Sequence, residues 1–405
     1  MNIGKIVIIL LVFYCFVGQF VESVIGIPYV RFLSFLGMLT FVPLYFFVEK
    51  DFTVAKISII IIAFAIIYIV VGSKPPTSAL YTILFGYFFY RERKFSGKVL
   101  DFIFVIQVIL MLYETFFNTF LYSDVTTGLF TSKDVAGSEE IEVMERQESG
   151  FRPKGLYMGF LEAAAFNIYY CLINKDSRKR LWGSLFASFL INGRLSVLIS
   201  LFVLLVYLFK KHKKKINYVM MLSCFIGFVI VISTLYASND LVQKRVDRIL
   251  SSFDMSDNSN NGGRIFYYYL GYEEFFNVYD YKSKLFGNDY ELVNEWGKKA
   301  SAESDLLSML LEIGFVGTLI YVFAFVNMLR YNSNTIISAR MVTILTLLAY
   351  LEYRHATGNI RGTLFWFLYF MTINPPNYLV CKVGHHNMSR TGGQKNVELV
   401  NSRDY

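Results

Sequence analysis

Charged side chains are scarce in this chain. They make up 17% of its 405 residues, where an ordinary soluble domain carries about 25%. With 55% hydrophobic residues and a mean hydropathy of +0.45, a soluble globular domain is excluded and a polytopic membrane protein is indicated. Cysteine is equally sparse. Of Cys15, Cys171, Cys224 and Cys381, the first three lie inside apolar runs, where cysteine behaves as a small hydrophobe, so no disulfide is expected. His212, His355, His385 and His386 are scattered, without the spacing of a metal site, so neither a metal nor another cofactor is expected. No long internal repeat is apparent. The first apolar run lacks a small-residue cleavage site and is read as a span, not a removed signal peptide. The net charge of +8 does not call for a nucleic-acid partner, because cytoplasmic loops rich in Lys and Arg account for it.

What is abundant is long apolar sequence. A span needs roughly 20 mostly apolar residues, and twelve segments qualify: Ile3–Val21, Phe32–Val48, Val54–Val71, Ser78–Tyr90, Val99–Tyr122, Leu156–Ile173, Leu181–Ile191, Ser196–Phe209, Ile216–Tyr236, Asp305–Leu329, Met341–Tyr353 and Thr363–Tyr378. Ser78–Tyr90 and Leu181–Ile191 are short enough to be tilted, distorted or partly re-entrant. The expected fold is all-α: a polytopic helical bundle of about twelve spans with a large external loop containing short helices.

Orientation follows from the basic clusters. Arg91–Lys94, Lys175 with Arg178–Arg180, and Lys210–Lys215 all fall on one side of a twelve-span chain. So do Arg330, Arg340 and the tail from Lys382. The positive-inside rule makes that side cytoplasmic, which predicts an inner (cytoplasmic) membrane protein with both termini inside. The chain then divides into N-terminal spans (1–122), an acidic external loop (123–154), central spans (155–237), a large external loop (238–303), C-terminal spans (304–380) and a polar cytoplasmic tail (381–405), expected to be disordered.

The large loop holds the densest chemistry. Val242, Val246, Ile249, Leu250 and Phe253 share one helical face, capped by Ser238, Asn239 or Asp240. An Asn/Gly-rich break ends at Gly262-Gly263-Arg264, and a helix is predicted over Arg264–Phe276. A guanidinium at a helix start suits a diphosphate, through its planar fork and the helix N–H groups; equally, a long cation can snorkel to lipid headgroups. Arg194, in the turn Asn192–Ser196, admits the same two readings. Arg152 and Lys154 close the acidic loop and can bind an anion or pair with Glu145 and Glu148. Glu303 and Asp305 open the tenth span, where a carboxylate can deprotonate a hydroxyl or merely cap a helix. Arg354, His355 and Arg361 add positive charge at the last external turn, and Glu114, Glu162, Glu312 and Glu352 are ionisable residues within spans. Arg152, Arg194, Arg264, Arg354 and Arg361 would ring an external mouth and call for an anionic ligand from the outer leaflet.

In this order of parts the chain resembles the O-antigen polymerase and O-antigen ligase superfamily of bacterial envelopes. The resemblance rests on many spans, on Arg-x-x-Gly at Arg152 and Gly155, on Gly193-Arg194, and on a large external loop between late spans. Inside that loop it rests on Lys244–Ile249, Gly262-Gly263-Arg264 and Leu285-Phe286-Gly287. It ends on Glu312-Ile313-Gly314-Phe315-Val316-Gly317, similar to the family's Glu-x-Gly-x-x-Gly signature. Ligases carry a His-Asn pair just before that signature; here Glu303-Ser304 stands in its place, which favours a polymerase.

The resemblance implies a membrane glycosyltransferase of the C-type class acting on undecaprenyl-diphosphate-linked oligosaccharides without a metal ion. The growing glycan would leave one lipid diphosphate for a sugar hydroxyl of another lipid-linked repeat unit, in O-antigen, capsule or exopolysaccharide synthesis. Arg152, Arg194 and Arg264 would stabilise the departing diphosphate. Glu303, or else Asp305, would assist the hydroxyl, and Lys154, Arg354, Arg361 and Asp305 would bind substrate. The membrane bilayer is the obligatory partner, with a chain-length regulator and a flippase expected by resemblance. A ligase of the same superfamily, or a non-enzymatic flippase or transporter, are the competing readings; the latter tend to show internal repeats around a midplane site.

Overall fold

A computed structural model describes residues 2–73, 76–117, 121, 153–157, 160–191, 193–211, 243, 271–288, 292–293, 299–300, 305–331, 337–352 and 359–374. These residues are overwhelmingly helical. In chain order the helices are α1 (Ile3–Ile25), α2 (Val30–Glu49), α3 (Phe52–Val71), α4 (Thr77–Arg91), α5 (Arg93–Phe117), α6 (Phe160–Ile173), α7 (Arg178–Ile191), α8 (Arg194–Lys211), α9 (Tyr281–Phe286), α10 (Asp305–Arg330), α11 (Ala339–Glu352) and α12 (Asn359–Ile373). One two-residue antiparallel ladder, β1 (Leu292–Val293) against β2 (Lys299–Ala300), is the only sheet among the described residues.

Five helices, α1, α2, α3, α5 and α10, are long and apolar enough to cross a membrane. The solvent they face is legible on α2 and α3. Leu39, Phe47, Ile59, Ile62, Ile69 and Val70 are all exposed, and helices apolar all round are at home only in a protein core or in lipid. The chain is therefore a membrane-embedded helical protein. Every expected span coincides with a helix among the described residues, except Ile216–Tyr236, which lies outside them. Boundaries shift. The fifth helix begins at Arg93 rather than Val99 and the last at Asn359 rather than Thr363, because basic and polar residues extend a helix past the apolar stretch. Lys154–Tyr157, partly counted as span, is not helical. The amphipathic segment 241–253 falls outside the described residues apart from Gln243, as does most of the helix predicted over Arg264–Phe276, whose end is a π-helical turn at Glu274–Val278.

Glycines and aromatics set the packing. α4 and α12 run parallel in close contact: a Cβ on Gly86 would meet the Trp366 Cβ at 2.3 Å, and one on Gly362 would meet Thr82 at 2.7 Å. Small residues permit such backbone approach between membrane helices, where dispersion and shape replace the hydrophobic effect. α10, α11 and α12 meet through Phe325, Tyr350 and Phe365, with ring centroids 5.1 to 5.4 Å apart, a favourable aromatic spacing. At the end of the bundle where α4 passes into α5, Asp51 caps α3 at Thr53 N, accepts from Tyr87 Oη at 2.9 Å and pairs with Arg91. At the same end Asp101 on α5 accepts from Tyr170 on α6 and pairs with Arg180 on α7. The opposite end, where α3 finishes and α4 begins, forms the rim of the bundle.

Candidate functional site

The sequence-predicted residues fall unevenly on the described structure. Arg152, Arg264, Glu303 and Arg354 lie outside it. Arg194 opens α8 and Asp305 opens α10. Arg361, in the first turn of α12, is buried at 3% exposure, within the bundle rather than on an open surface. Lys154 lies on the short run that leads into α6 and is half-buried.

At the rim, α10 breaks. Gly314 adopts φ +66°, ψ −175°, a conformation open to glycine and strained for other residues. The break turns two carbonyls toward partners outside the helix. Leu311 O accepts from Asn288 N at 2.9 Å and from Tyr279 Oη at 3.2 Å. Ile313 O accepts from Tyr68 Oη of α3 at 2.5 Å. The seat is filled by the segment around α9. Asp280 caps that helix by accepting from Ser283 N at 2.8 Å, and the helix ends at Gly287 with φ +75°. Gly287 and Gly314 abut through backbone alone. Phe286 lies edge-on to Tyr68, centroids 5.2 Å apart, and Lys282 Nζ donates to Gly72 O at the end of α3. Gly317 completes the fit, since a Cβ there would meet Tyr68 Oη at 2.8 Å. Each glycine of Leu285-Phe286-Gly287 and Glu312–Gly317 thus has a physical reason: the two segments, and Tyr68, occupy space a side chain would fill.

A second assembly holds the exit of the acidic loop. Glu114 and Gln107 lie on one face of α5, both buried. Glu114 Oε2 accepts from Lys154 N at 2.6 Å and Gly155 N at 2.7 Å, and its Oε1 accepts from Leu121 N at 3.1 Å. Gln107 Nε2 donates to Lys154 O at 3.0 Å, and its Oε1 accepts from Leu156 N at 2.6 Å. A buried carboxylate is tolerable only when so satisfied. Gly155 has φ +63°, and a Cβ on it would meet Gln107 at 2.7 Å. That is why Arg-x-x-Gly ends in glycine. Glu114 was visible in the sequence as an intramembrane acid, but its partners are backbone amides that no charge pattern reveals.

A third cluster escaped the sequence reading. Asn167 on α6 shares its two Nδ2 hydrogens among Ser184 O, Ser188 Oγ and Ser196 Oγ, and accepts at Oδ1 from Ser184 Oγ. Ser188 also bonds Ser200 Oγ at 3.0 Å. All five side chains are buried, so α6, α7 and the first turns of α8 are tied by hydrogen bonds just beyond Arg194. The signal was present only as serines at helical spacing on α7 (184, 188) and α8 (196, 200).

Comparison with family models, with curated proteins and with solved structures finds no match to this chain.

Proposed function

We propose that the protein is a polymerase of undecaprenyl-diphosphate-linked oligosaccharide repeat units, working within a bundle of about twelve spans of the membrane C-type glycosyltransferase kind. The observation that carries this reading is the seating of Leu285-Phe286-Gly287 on the α10 break at Glu312–Gly317. Two segments singled out separately by resemblance turn out to be one tightly fitted unit. The positive-inside rule puts Arg91, Lys94 and Arg178–Arg180 in the cytoplasm, which puts the rim and the large loop outside, where lipid-linked sugars are displayed. In this reading Arg152, Arg194 and Arg264 stabilise the leaving diphosphate, each donor contributing about 2.7–4 kcal/mol. Glu303, or Asp305, takes the proton of the attacking sugar hydroxyl, while Lys154, Arg354 and Arg361 hold substrate charge.

The test is genetic and electrophoretic. Deleting the gene and resolving the surface glycan should leave a single repeat unit attached; loss of a ligase or a flippase would leave none. Arg264→Ala and Arg194→Ala should abolish long chains while the protein remains membrane-inserted. Normal chain length in both variants would remove them from the mechanism.

A further inference from the structure

We infer that Gln107 and Glu114 are positioning residues, which grip the backbone of Lys154–Leu156 so that the Lys154 side chain meets the diphosphate headgroup of a lipid at the rim. The inference rests on the diphosphate reading above and adds to it two residues with no assigned role.

Gln107 and Glu114 stand two turns apart and so share a helix face. From that face they take every polar main-chain atom of Lys154, N–H and C=O alike, together with the N–H groups of Gly155 and Leu156. A residue held at its own N–H, its own C=O and both following amides has little freedom in φ and ψ, so the direction of its Cα–Cβ bond is set. Joining a loop to a helix does not require this. An apolar pair would do so without burying a carboxylate, whose desolvation is costly. The other oxygen of Glu114 holds Leu121 N, so one carboxylate gathers main chain from both flanks of the acidic loop. Gly155 has no Cβ where one would strike Gln107, so this grip and the Arg-x-x-Gly spacing are one feature. Lys154 itself stays half-exposed beside the rim, on a rigid base, as a binding cation requires.

The experiment uses the full-length protein in nanodiscs of phosphatidylethanolamine and phosphatidylglycerol, with undecaprenyl diphosphate as one probe and inorganic pyrophosphate as the other. Binding of the first alone means that the lipid chain contributes; binding of both means that the diphosphate suffices. Lys154→Ala should weaken binding about tenfold, and Glu114→Gln and Gln107→Leu should each do the same, since a misplacement of about 1 Å has effects of that order or larger. Combined with Lys154→Ala, neither should weaken binding further, because the residues act through Lys154. A purely structural role would give additive losses. Gln107→Leu, which adds no buried charge, is the variant to rely on should Glu114→Gln fail to fold: it removes the acceptor for Leu156 N and the donor to Lys154 O. Faster amide exchange at Lys154–Leu156 should accompany each change. Wild-type binding that Lys154→Ala leaves intact, or that Lys154→Ala weakens while Glu114→Gln and Gln107→Leu do not, overturns the inference and leaves the polymerase reading standing. Failure of the wild-type protein to bind either probe sinks that reading, and the inference with it.

Discussion

Gly287 and Gly314 face each other with no side chain between them. A Cβ on Gly287 would lie 2.3 Å from Glu312 O, and one on Gly314 would lie 2.3 Å from Gly287 N. Both have positive φ, so each residue is fixed twice over, by its own backbone and by its neighbour's.

Gly314→Ala should therefore destabilise the protein by at least about 2 kcal/mol, combining positive-φ strain of roughly 1–3 kcal/mol with a contact that only backbone movement relieves. Gly97→Ala is the control. It lies in α5 with open space around its Cβ, and should be neutral or slightly stabilising, within about 1 kcal/mol. Unfolding in mixed micelles measures both, and equal effects would show that the α10 break is not a tight junction.

The Tyr68 hydroxyl on Ile313 O also bonds the Gly317 backbone, whereas Leu311 O has a second donor beside Tyr279. Tyr68→Phe removes the hydroxyl on Ile313 O and should cost about 1–3 kcal/mol, the penalty for a buried acceptor left unmet. Tyr279→Phe should cost only about 0.5–1.5 kcal/mol, because Leu311 O keeps Asn288 N. Proteolysis within 271–288 should speed up more in the first variant. The reverse order would place the main attachment of this segment elsewhere.

Asn167→Ala should destabilise the α6–α8 unit by about 2 kcal/mol and Ser200→Ala by about 1 kcal/mol, at an average of about 0.6 kcal/mol per membrane hydrogen bond. The Asn167 amide shares two N–H groups among three acceptors and accepts one bond from Ser184, while Ser200 bonds Ser188 and Cys171. Unfolding of the two variants in the same micelles decides. Equal losses would mean that the cluster does not act through Asn167.

The α9 cap carries a pH signature. Hydrogen bonds from the Ser283 side chain and backbone hold the Asp280 carboxyl below its ordinary value. A carboxyl with a depressed folded pKa stabilises fully above its unfolded pKa of about 3.9 and loses that contribution as pH falls through the lower folded value. Protection of the Ser283 amide should thus persist through mild acid and collapse only below the usual carboxylate range. Asp280→Asn should flatten that dependence, and protection that fades already near pH 5 would rule the cap out as its source.

The apolar helices were legible because apolar runs report themselves, and Gly314 and Gly317 were legible as a motif, though not as a helix break. What the break does was hidden, because its partners, Tyr68 and Gly287, are distant in sequence and join it through carbonyls, which every residue has. Gln107 and Glu114 were obscure for the same reason: their ligands are main-chain atoms. The Asn167 cluster hid in hydropathy, where serine reads as nearly neutral. Arg361 was legible as a cation near the last external turn, but its burial in the first turn of α12 was not, since a helix end inside a bundle looks the same in sequence as one at its edge.

The parallel seam of α4 and α12 has a consequence for how the protein is made. A ribosome releases α4 long before α12, on the order of tens of seconds earlier at about 5–20 residues per second. Through that interval the face of α4 holding Thr82, Gly86 and Tyr90 lacks the Gly362, Trp366 and Phe370 it packs against. Lipid or an insertion factor must occupy the furrow and then withdraw, so a nascent chain cut before Asn359 leaves the translocon with an unclosed core, a substrate for membrane proteases rather than a partly folded intermediate that persists.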